Sequence, residues 1–237
     1  MAETMRDYLR DGIKKIGVEI DEEKIDKLMA YLELLIEYNS HTNLTAIRDR
    51  EGIIEKHFLD SILLMKYMKR DTGKALDIGT GAGFPGMVLA ICNPDIQFTL
   101  IDSVGKKINF LRQVKEKLNL TNADPVNARA EEYINDENRE SYDLGFCRGV
   151  SKLNTILEYV IPFLKVEGRF LPQKMEGTNE ENESGSALKI LKSKITDIYE
   201  EELPFSKDKR IIVDIVKEAK TDKKYPRRTG IPLKKPL

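Results

Sequence analysis

One segment constrains the possible folds of this chain more than any other. Asp77-Ile78-Gly79-Thr80-Gly81-Ala82-Gly83-Phe84-Pro85-Gly86 follows a short apolar run and leads directly into a helical pattern. Glycines at a strand-to-helix turn let the backbone approach a ligand closely and take dihedral angles that a Cβ forbids. Such a turn belongs to a parallel strand with a crossover helix and a pocket at the strand's carboxyl end. The remaining sequence supplies that setting. Short apolar runs recur at residues 75–78, 97–101, 124–126, 142–146 and 169–171, and helix-compatible stretches at 85–92, 106–118, 130–135 and 153–164 separate them. This alternation predicts an α/β fold with a mostly parallel, doubly wound, Rossmann-like sheet.

The flanks read differently. Between residues 21 and 38, Ile25, Leu28, Met29, Leu32, Leu35 and Ile36 recur at three- and four-residue spacing, the period of one helix face, and a second helical segment spans 53–68. Residues 194–203 and 210–216 read as two more strands. The six residues between them are too few for a parallel crossover, which predicts an antiparallel C-terminal pair. Residues 176–186 read as a loop or a frayed helix start. The 237 residues allow one large domain or one domain with an appendage at roughly 150 residues per domain. The expected organisation is a helical extension over 1–72, a core over 73–219 and a basic tail over 220–237.

The ligand class follows from the turn. A dinucleotide fingerprint requires G-x-G-x-x-G, but the sixth position from Gly79 is Phe84. Pro85 removes an amide at the first helical turn, which weakens a pyrophosphate seat on free N–H groups. A ligand with adenosine but no pyrophosphate fits better. Asp102 ends the second strand, where a carboxylate can accept both hydroxyls of a ribose. Arg129-Ala130-Glu131-Glu132 follows the third strand, beside the second in such a sheet. Adenosine bearing a sulfonium amino-acid tail suits the glycine turn with Gly79, Gly81 and Gly83, Asp102, and the turn after the third strand together.

Other chemistries find less support. Cys92 and Cys147 lie in no metal-binding or paired spacing, so neither a zinc site nor a disulfide framework is expected. Cys147 reads as a small buried hydrophobe rather than a nucleophile. His41 and His57 have helical, polar surroundings and read as packing or hydrogen-bonding residues rather than general bases. The Met1–Lys15 stretch lacks the apolar centre of a signal peptide and no uncharged apolar run reaches membrane-spanning length, so a cytoplasmic protein without membrane contact is expected. With net charge −1, any nucleic-acid contact must come from a local patch. The segment from Lys217 onward provides one, with eight basic residues against Glu218 and Asp222. Lys223, Lys224, Tyr225, Arg227 and Arg228 are its candidates for phosphate contact and base stacking. Pro226, Pro232 and Pro236 favour an extended course. Acidic residues at Glu176, Glu180, Glu181, Glu183 and Glu200 to Glu202 suggest a face turned away from RNA.

Four motifs in one order resemble a known family. Asn43-Leu44-Thr45-Ala46-Ile47, His57-Phe58-Leu59-Asp60-Ser61, the Gly79–Gly86 turn and Lys224-Tyr225-Pro226-Arg227-Arg228-Thr229-Gly230-Ile231-Pro232 are similar to the bacterial small-subunit ribosomal RNA methyltransferase G family, also called glucose-inhibited division protein B. The resemblance implies a class I methyltransferase that uses S-adenosyl-L-methionine to methylate N7 of one guanosine in 16S rRNA, near the decoding site, on free rRNA or the small ribosomal subunit. It implies no metal and no catalytic base. By the same resemblance Gly79 and Phe84 line the cofactor, Asp102 holds the ribose, Ala130 and Glu131 flank the adenine, and Arg148 closes the pocket from the fourth strand. The chain departs from the family at Cys147-Arg148-Gly149-Val150 and at Pro172-Gln173-Lys174-Met175, on the substrate side. The turn and Asp102 alone would also suit a nicotinamide-dependent oxidoreductase, and the fold alone a catalytically silent RNA-binding assembly protein.

Overall fold

The computed structural model describes residues 2–175, 177 and 180–237. The chain opens with two helices, α1 (Ala2–Ile16) and α2 (Glu22–Thr42). Asp21 starts α2 by accepting a hydrogen bond from the Lys24 amide, and Asn43 ends it in a left-handed conformation, φ 50°. Residues 50–66 then form one helical run. In it α3 (Arg50–Ile53) passes through a π-helical stretch, Ile54–Leu59, into α4 (Asp60–Ile62) and a 3-10 turn, Leu63–Lys66. The widened turn carries most of the His57–Ser61 motif, in keeping with the tendency of such segments to occur at functional sites.

From Gly73 the predicted alternation follows: β1 (Gly73–Ile78), α5 (Gly86–Cys92), β2 (Ile96–Asp102), α6 (Gly105–Lys117), β3 (Ala123–Asn127), α7 (Ala130–Tyr133), β4 (Tyr142–Arg148), α8 (Leu153–Val160) and β5 (Leu164–Met175). After α9 (Glu180–Glu183) and α10 (Gly185–Ile190), β6 (Ser193–Glu202) and β7 (Lys209–Lys217) pair antiparallel, as their short connection requires. A single turn, α11 (Ile231–Lys234), lies near the C-terminus. The seven strands form one sheet in the order β3-β2-β1-β4-β5-β7-β6, with β7 antiparallel to both neighbours. The strand order reverses between β1 and β4, and open α/β sheets bind ligands at such a reversal.

The two faces are covered by different parts of the chain. Leu9, Leu28, Phe58, Val88 and Phe110 pack with Phe98 and Phe146, so the N-terminal helices share one face with α5 and α6. Leu76, Cys147 and Phe170 pack on the other face with Leu157 of α8, Leu188 of α10 and Tyr225. The expectation of an extended tail is therefore corrected: residues 220–237 fold back on the core. Tyr225 is 9% exposed and Arg227 pairs with Glu158 beneath it. An aromatic ring and a buried carboxylate outweigh the preference of three prolines for extended backbone. The expected loop over 176–186 lies partly outside the described residues, and its remainder is largely helical in α9 and α10. No helix among the described residues is long and apolar enough to cross a membrane.

Candidate active site

Two cavities open at the carboxyl ends of the strands, on either side of β4. The first, about 350 Å³, is bordered by Gly79 after β1, Asp102 at the end of β2, Ala130 and Glu131 at the start of α7, and Gly149 after β4. The second, about 490 Å³, is bordered by Ile47, Lys56, His57, Arg148, Lys174 and Arg210. Both volumes fall within the range of small-ligand sites. Gly149 borders both, and the adjacent Val150 lies against Gly79 so closely that a Cβ at Gly79 would collide with it. The Gly149–Ser151 turn is thus the partition between them.

The first cavity owes its shape to the glycine turn. Gly79, Gly81 and Gly83 all have positive φ. Gly79 presents bare backbone to the cavity, and a Cβ at Gly81 would meet nothing nearer than 3.9 Å. Gly83 serves packing instead, because a Cβ there would strike Met87 and Leu111. Asp102 accepts hydrogen bonds from the Gly81 amide at 3.0 Å and the Val104 amide at 2.8 Å, with Lys107 Nζ at 3.6 Å. A carboxylate offers about four acceptor sites, so capacity remains for two vicinal hydroxyls. The Gly86 amide donates to Asp77 at 2.8 Å, so the first free amide of α5 is already capped. Burial pushes the Asp77 carboxyl up to about 6. A pyrophosphate would find that amide already taken by a carboxyl group.

Gly81 and Gly83, expected at this cavity, do not border it, and two further expected residues, Phe84 and Arg148, are placed elsewhere. Phe84 is buried in an aromatic group, stacked on His57 at 4.4 Å and near Tyr31 at 5.8 Å. Arg148, expected to close the cofactor pocket, borders the second cavity instead. Its guanidinium donates to Asp60 Oδ2 at 3.0 Å, to His57 Nδ1 at 3.2 Å and to the Lys56 carbonyl at 3.3 Å, over the Phe84 ring at 5.5 Å. Asp60 also accepts from Arg210 Nε at 3.0 Å and Gln173 Nε2 at 2.6 Å. Burial pushes the Asp60 carboxyl up, and the two arginines pull against that shift. His57 and Asp60, three residues apart on one helical run, thus reach the same guanidinium.

The protonation of His57 follows from its neighbours. Arginine can only donate, so Nδ1 accepts and the ring proton lies on Nε2, donated to Thr45 Oγ1 at 2.8 Å. Burial, and then the Arg148 charge, hold the imidazole pKa down to about 3. Thr45 is itself fixed by Asn39, whose Oδ1 accepts from the Leu44 and Thr45 amides at 2.6 and 3.0 Å. The Asn43–Ile47 and His57–Ser61 motifs are therefore one structural unit. Both cysteines are buried, and burial pushes the Cys92 thiol up to about 12 and the Cys147 thiol higher still.

Sequence reasoning did not find Lys56, Arg210 or Asp77, nor the contributions of Lys107, Tyr159 and Leu233 to the first cavity. Asp77 lies inside the glycine motif, Lys56 directly before the His57–Ser61 motif and Leu233 directly after the Lys224–Pro232 motif, whereas Lys107, Tyr159 and Arg210 stand in none. In the tail, Tyr225 and Arg227 point inward, whereas Lys223, Lys224 and Arg228 are exposed. The acidic residues do not form one remote face. Glu180 pairs with Lys174 at 2.8 Å beside the second cavity, and Glu201, in register with Arg210, contacts Lys66 and Tyr67. Glu176 lies outside the described residues.

Comparison with known proteins agrees with this architecture. Residues 24–210 match the family described as rRNA small subunit methyltransferase G. A Fusobacterium nucleatum protein named ribosomal RNA small subunit methyltransferase G is 60% identical over 233 residues, covering 98% of this chain and 100% of that protein. An Acetivibrio thermocellus protein of the same name is 45% identical over 98% of this chain and 97% of its own length. Among solved structures, M. jannaschii TYW2 in complex with AdoMet gives a TM-score of 0.55 at 16% identity, over 72% of this chain and 77% of that one. A SAM-dependent methyltransferase from Aquifex aeolicus gives 0.53 at 18%, over 70% and 93%. The [4+2]-cyclase SpnF gives 0.56 at 12%, over 86% and 99%. A cyclase among these neighbours shows that the likeness speaks for the fold alone.

Proposed function

The chain belongs to the rRNA small subunit methyltransferase G family, and from that premise we propose that it transfers a methyl group from S-adenosylmethionine to N7 of one guanosine in 16S rRNA, in the loop near the decoding site. Membership of this family makes the chain an S-adenosylmethionine-dependent methyltransferase of small-subunit ribosomal RNA. The reaction is assigned to the cytoplasm, and no metal is required.

The pair of cavities meeting at Gly149 is what supports transfer to a base held beside the cofactor. In the first, Gly79 gives a ligand access to bare backbone, Asp102 has acceptor capacity for a ribose, and Glu131 stands at the adenine end. S-adenosylmethionine supplies an electrophilic methyl group there. The second has the character of an RNA site: Lys56, Arg148, Lys174 and Arg210 outnumber the Asp60 and Asp208 carboxylates in its lining, which leaves it net positive, and Ile47 and the 70% exposed Met175 supply apolar surface for a base. The role of Arg148 changes with its position. Held by Asp60 and His57, it is a fixed cation in the wall that receives the base rather than a lid on the cofactor.

Guanine N7 has an in-plane lone pair and no proton near neutral pH, so no side chain must remove one. His57 is unsuited to act as a base, because Arg148 occupies its acceptor nitrogen and its other nitrogen carries the proton. The chain's contribution is therefore alignment, which can be worth about 7 to 11 kcal/mol where reacting atoms are held close. N7 lies on the major-groove edge, which side chains cannot reach in A-form RNA, so the guanosine must be in a loop or turned outward.

The test is transfer of labelled methyl from S-adenosylmethionine to free 16S rRNA and to small subunits lacking the modification, followed by mapping of the nucleotide. Label at one N7-methylated guanosine is expected, with a continuous duplex a poor substrate. Label on an exocyclic amine or on ribose would overturn the N7 assignment. Heat protection by NAD but not by S-adenosylmethionine would overturn the cofactor assignment.

A further inference from the structure

We propose that the C-terminal segment forms the outer wall of the cofactor cavity at its adenosine end, and that Arg227 is a positioning residue for that wall rather than an RNA contact. The inference rests on the cofactor reading above and assigns a new part of the chain to that site.

The segment is pinned from beneath. Glu158 of α8 has no exposed side-chain surface, and Arg227 meets it with several bonds. Arg227 Nε donates to its two oxygens at 2.9 and 3.1 Å, Nη2 donates to Oε2 at 2.6 Å, and the Arg227 amide donates to Oε1 at 2.7 Å. Such a forked pair fixes direction as well as distance. Nη2 also donates to the Lys235 carbonyl at 2.7 Å, tying the far end of the segment to the same anchor. Arg139 holds the near end through the Tyr225 carbonyl at 2.7 Å.

Between these anchors the chain crosses α7. Thr229 Oγ1 donates to Glu132 at 3.1 Å, and the Gly230 amide, at φ +80°, donates to Glu131 Oε1 at 3.1 Å. This fixes the Glu131 carboxylate through one oxygen and leaves the other to accept from a ligand N–H. The turn α11 then brings Leu233 to the cavity border. Leu233 is 60% exposed, and Val104 and Val150, at 37% and 40%, border the same cavity. Three large apolar side chains left in water around one opening, above two carboxylates, suit the faces of a purine whose edge and sugar are polar.

The full-length protein tests this by calorimetric titration with S-adenosylmethionine and S-adenosylhomocysteine. Leu233→Ser and Leu233→Ala alter an exposed side chain and should leave the unfolding midpoint unchanged. Both should raise the dissociation constant about four- to fifteenfold, the loss for one to two methylene equivalents of apolar contact. They should raise the KM for cofactor more than they lower kcat. Arg227→Ala should weaken the cofactor at least as much, with Arg227→Lys recovering part of the loss. The salt dependence of RNA binding should stay as in the wild type, because Arg227 neutralises no phosphate. Unchanged cofactor affinity in the Leu233 variants would overturn the proposal, as would a flatter salt slope in Arg227→Ala, which removes the charge. Asp102→Asn separates the two levels. Binding that depends on Asp102 but not on Leu233 refutes the wall alone, whereas no binding by the wild type refutes the cofactor reading beneath it.

Discussion

The two cavities share a border residue but are built by opposite means. The first is made of strand ends and turns, and its key groups, Gly79, Asp102 and Glu131, each follow the next strand in chain order. The second draws on side chains from the helical run at 50–66, the ends of β4 and β5, and the start of β7. The first takes its floor from local backbone geometry that any chain with this strand-turn-helix grammar can offer, and only its outer wall, with Leu233, comes from the C-terminal segment. The second depends on a buried polar network around Asp60, which exists only when the N-terminal helices and the C-terminal strands are docked. Cofactor binding should therefore tolerate damage that abolishes substrate binding.

The strongest test of that difference is Asp60→Ala. It leaves Arg148 and Arg210 without their shared carboxylate, and removing one partner of a buried ion pair costs about 3 to 5 kcal/mol. Urea unfolding should show a loss of that size, and methyl transfer should fall steeply. The fraction that remains folded should bind S-adenosylmethionine nearly as tightly as the wild type. A parallel collapse of cofactor affinity would show that the cavities are one energetic unit.

Asp102→Ala is the converse experiment, and its effect should be somewhat smaller. Loss of charge-assisted hydrogen bonds to the ribose costs about 1.5 to 3 kcal/mol of cofactor affinity. RNA affinity, measured without cofactor, should not change. Asp102→Asn removes the charge and keeps an acceptor for only one of the Gly81 and Val104 amides, so its affinity should fall between those of the wild type and Asp102→Ala.

This asymmetry also explains what could be read in the sequence. The α/β alternation, the antiparallel C-terminal pair and the glycine turn are all visible because period and turn chemistry are local. Arg148 stands in a motif, but its direction is set by Asp60 and His57, 88 and 91 residues away, and no local rule gives that. Phe84 follows the glycines, so it reads as a cofactor residue, yet the aromatic cluster around Tyr31 offers it more buried contact. The tail misled for the same reason. Composition shows its charge, but Glu158, which takes Arg227 inward, lies 69 residues earlier in an apolar helix.

The pH dependence of stability sharpens the contrast at an intermediate scale. The folded-state pKa of His57 is depressed to about 3, below its ordinary value, so its neutral form contributes fully above about pH 6.5. That contribution is lost as pH falls from about 6.5 toward 3. Asp77, raised to about 6, acts in the opposite sense between its ordinary value and 6. Wild type alone would therefore show a blunted slope. The difference between wild type and His57→Asn isolates the histidine, and should shrink by about 1 to 2 kcal/mol between pH 6.5 and 5. A pH-independent difference would mean that His57 is not held neutral by Arg148 and its burial.

The smallest expected effect lies in the tail. Lys223→Gln, Lys224→Gln and Arg228→Gln change exposed side chains. Each one that meets a phosphate should lower the salt slope of RNA binding by about 0.7 to 0.9, without altering cofactor titrations. No change in slope for all three would remove the tail from the RNA interface and leave it wholly to the cofactor.

In the proposed mechanism the two cavities align a proton-free nitrogen with the methyl donor, and no side chain serves as a base. Single-turnover transfer, with RNA and S-adenosylmethionine prebound and pH varied from about 6 to 9, tests this most directly. The rate should be flat across the range, and His57→Asn should keep the flat profile once its fold and binding are verified. A rate that rises with the titration of one group, and loses that rise in the variant, would show that a general base operates and would contradict the mechanism.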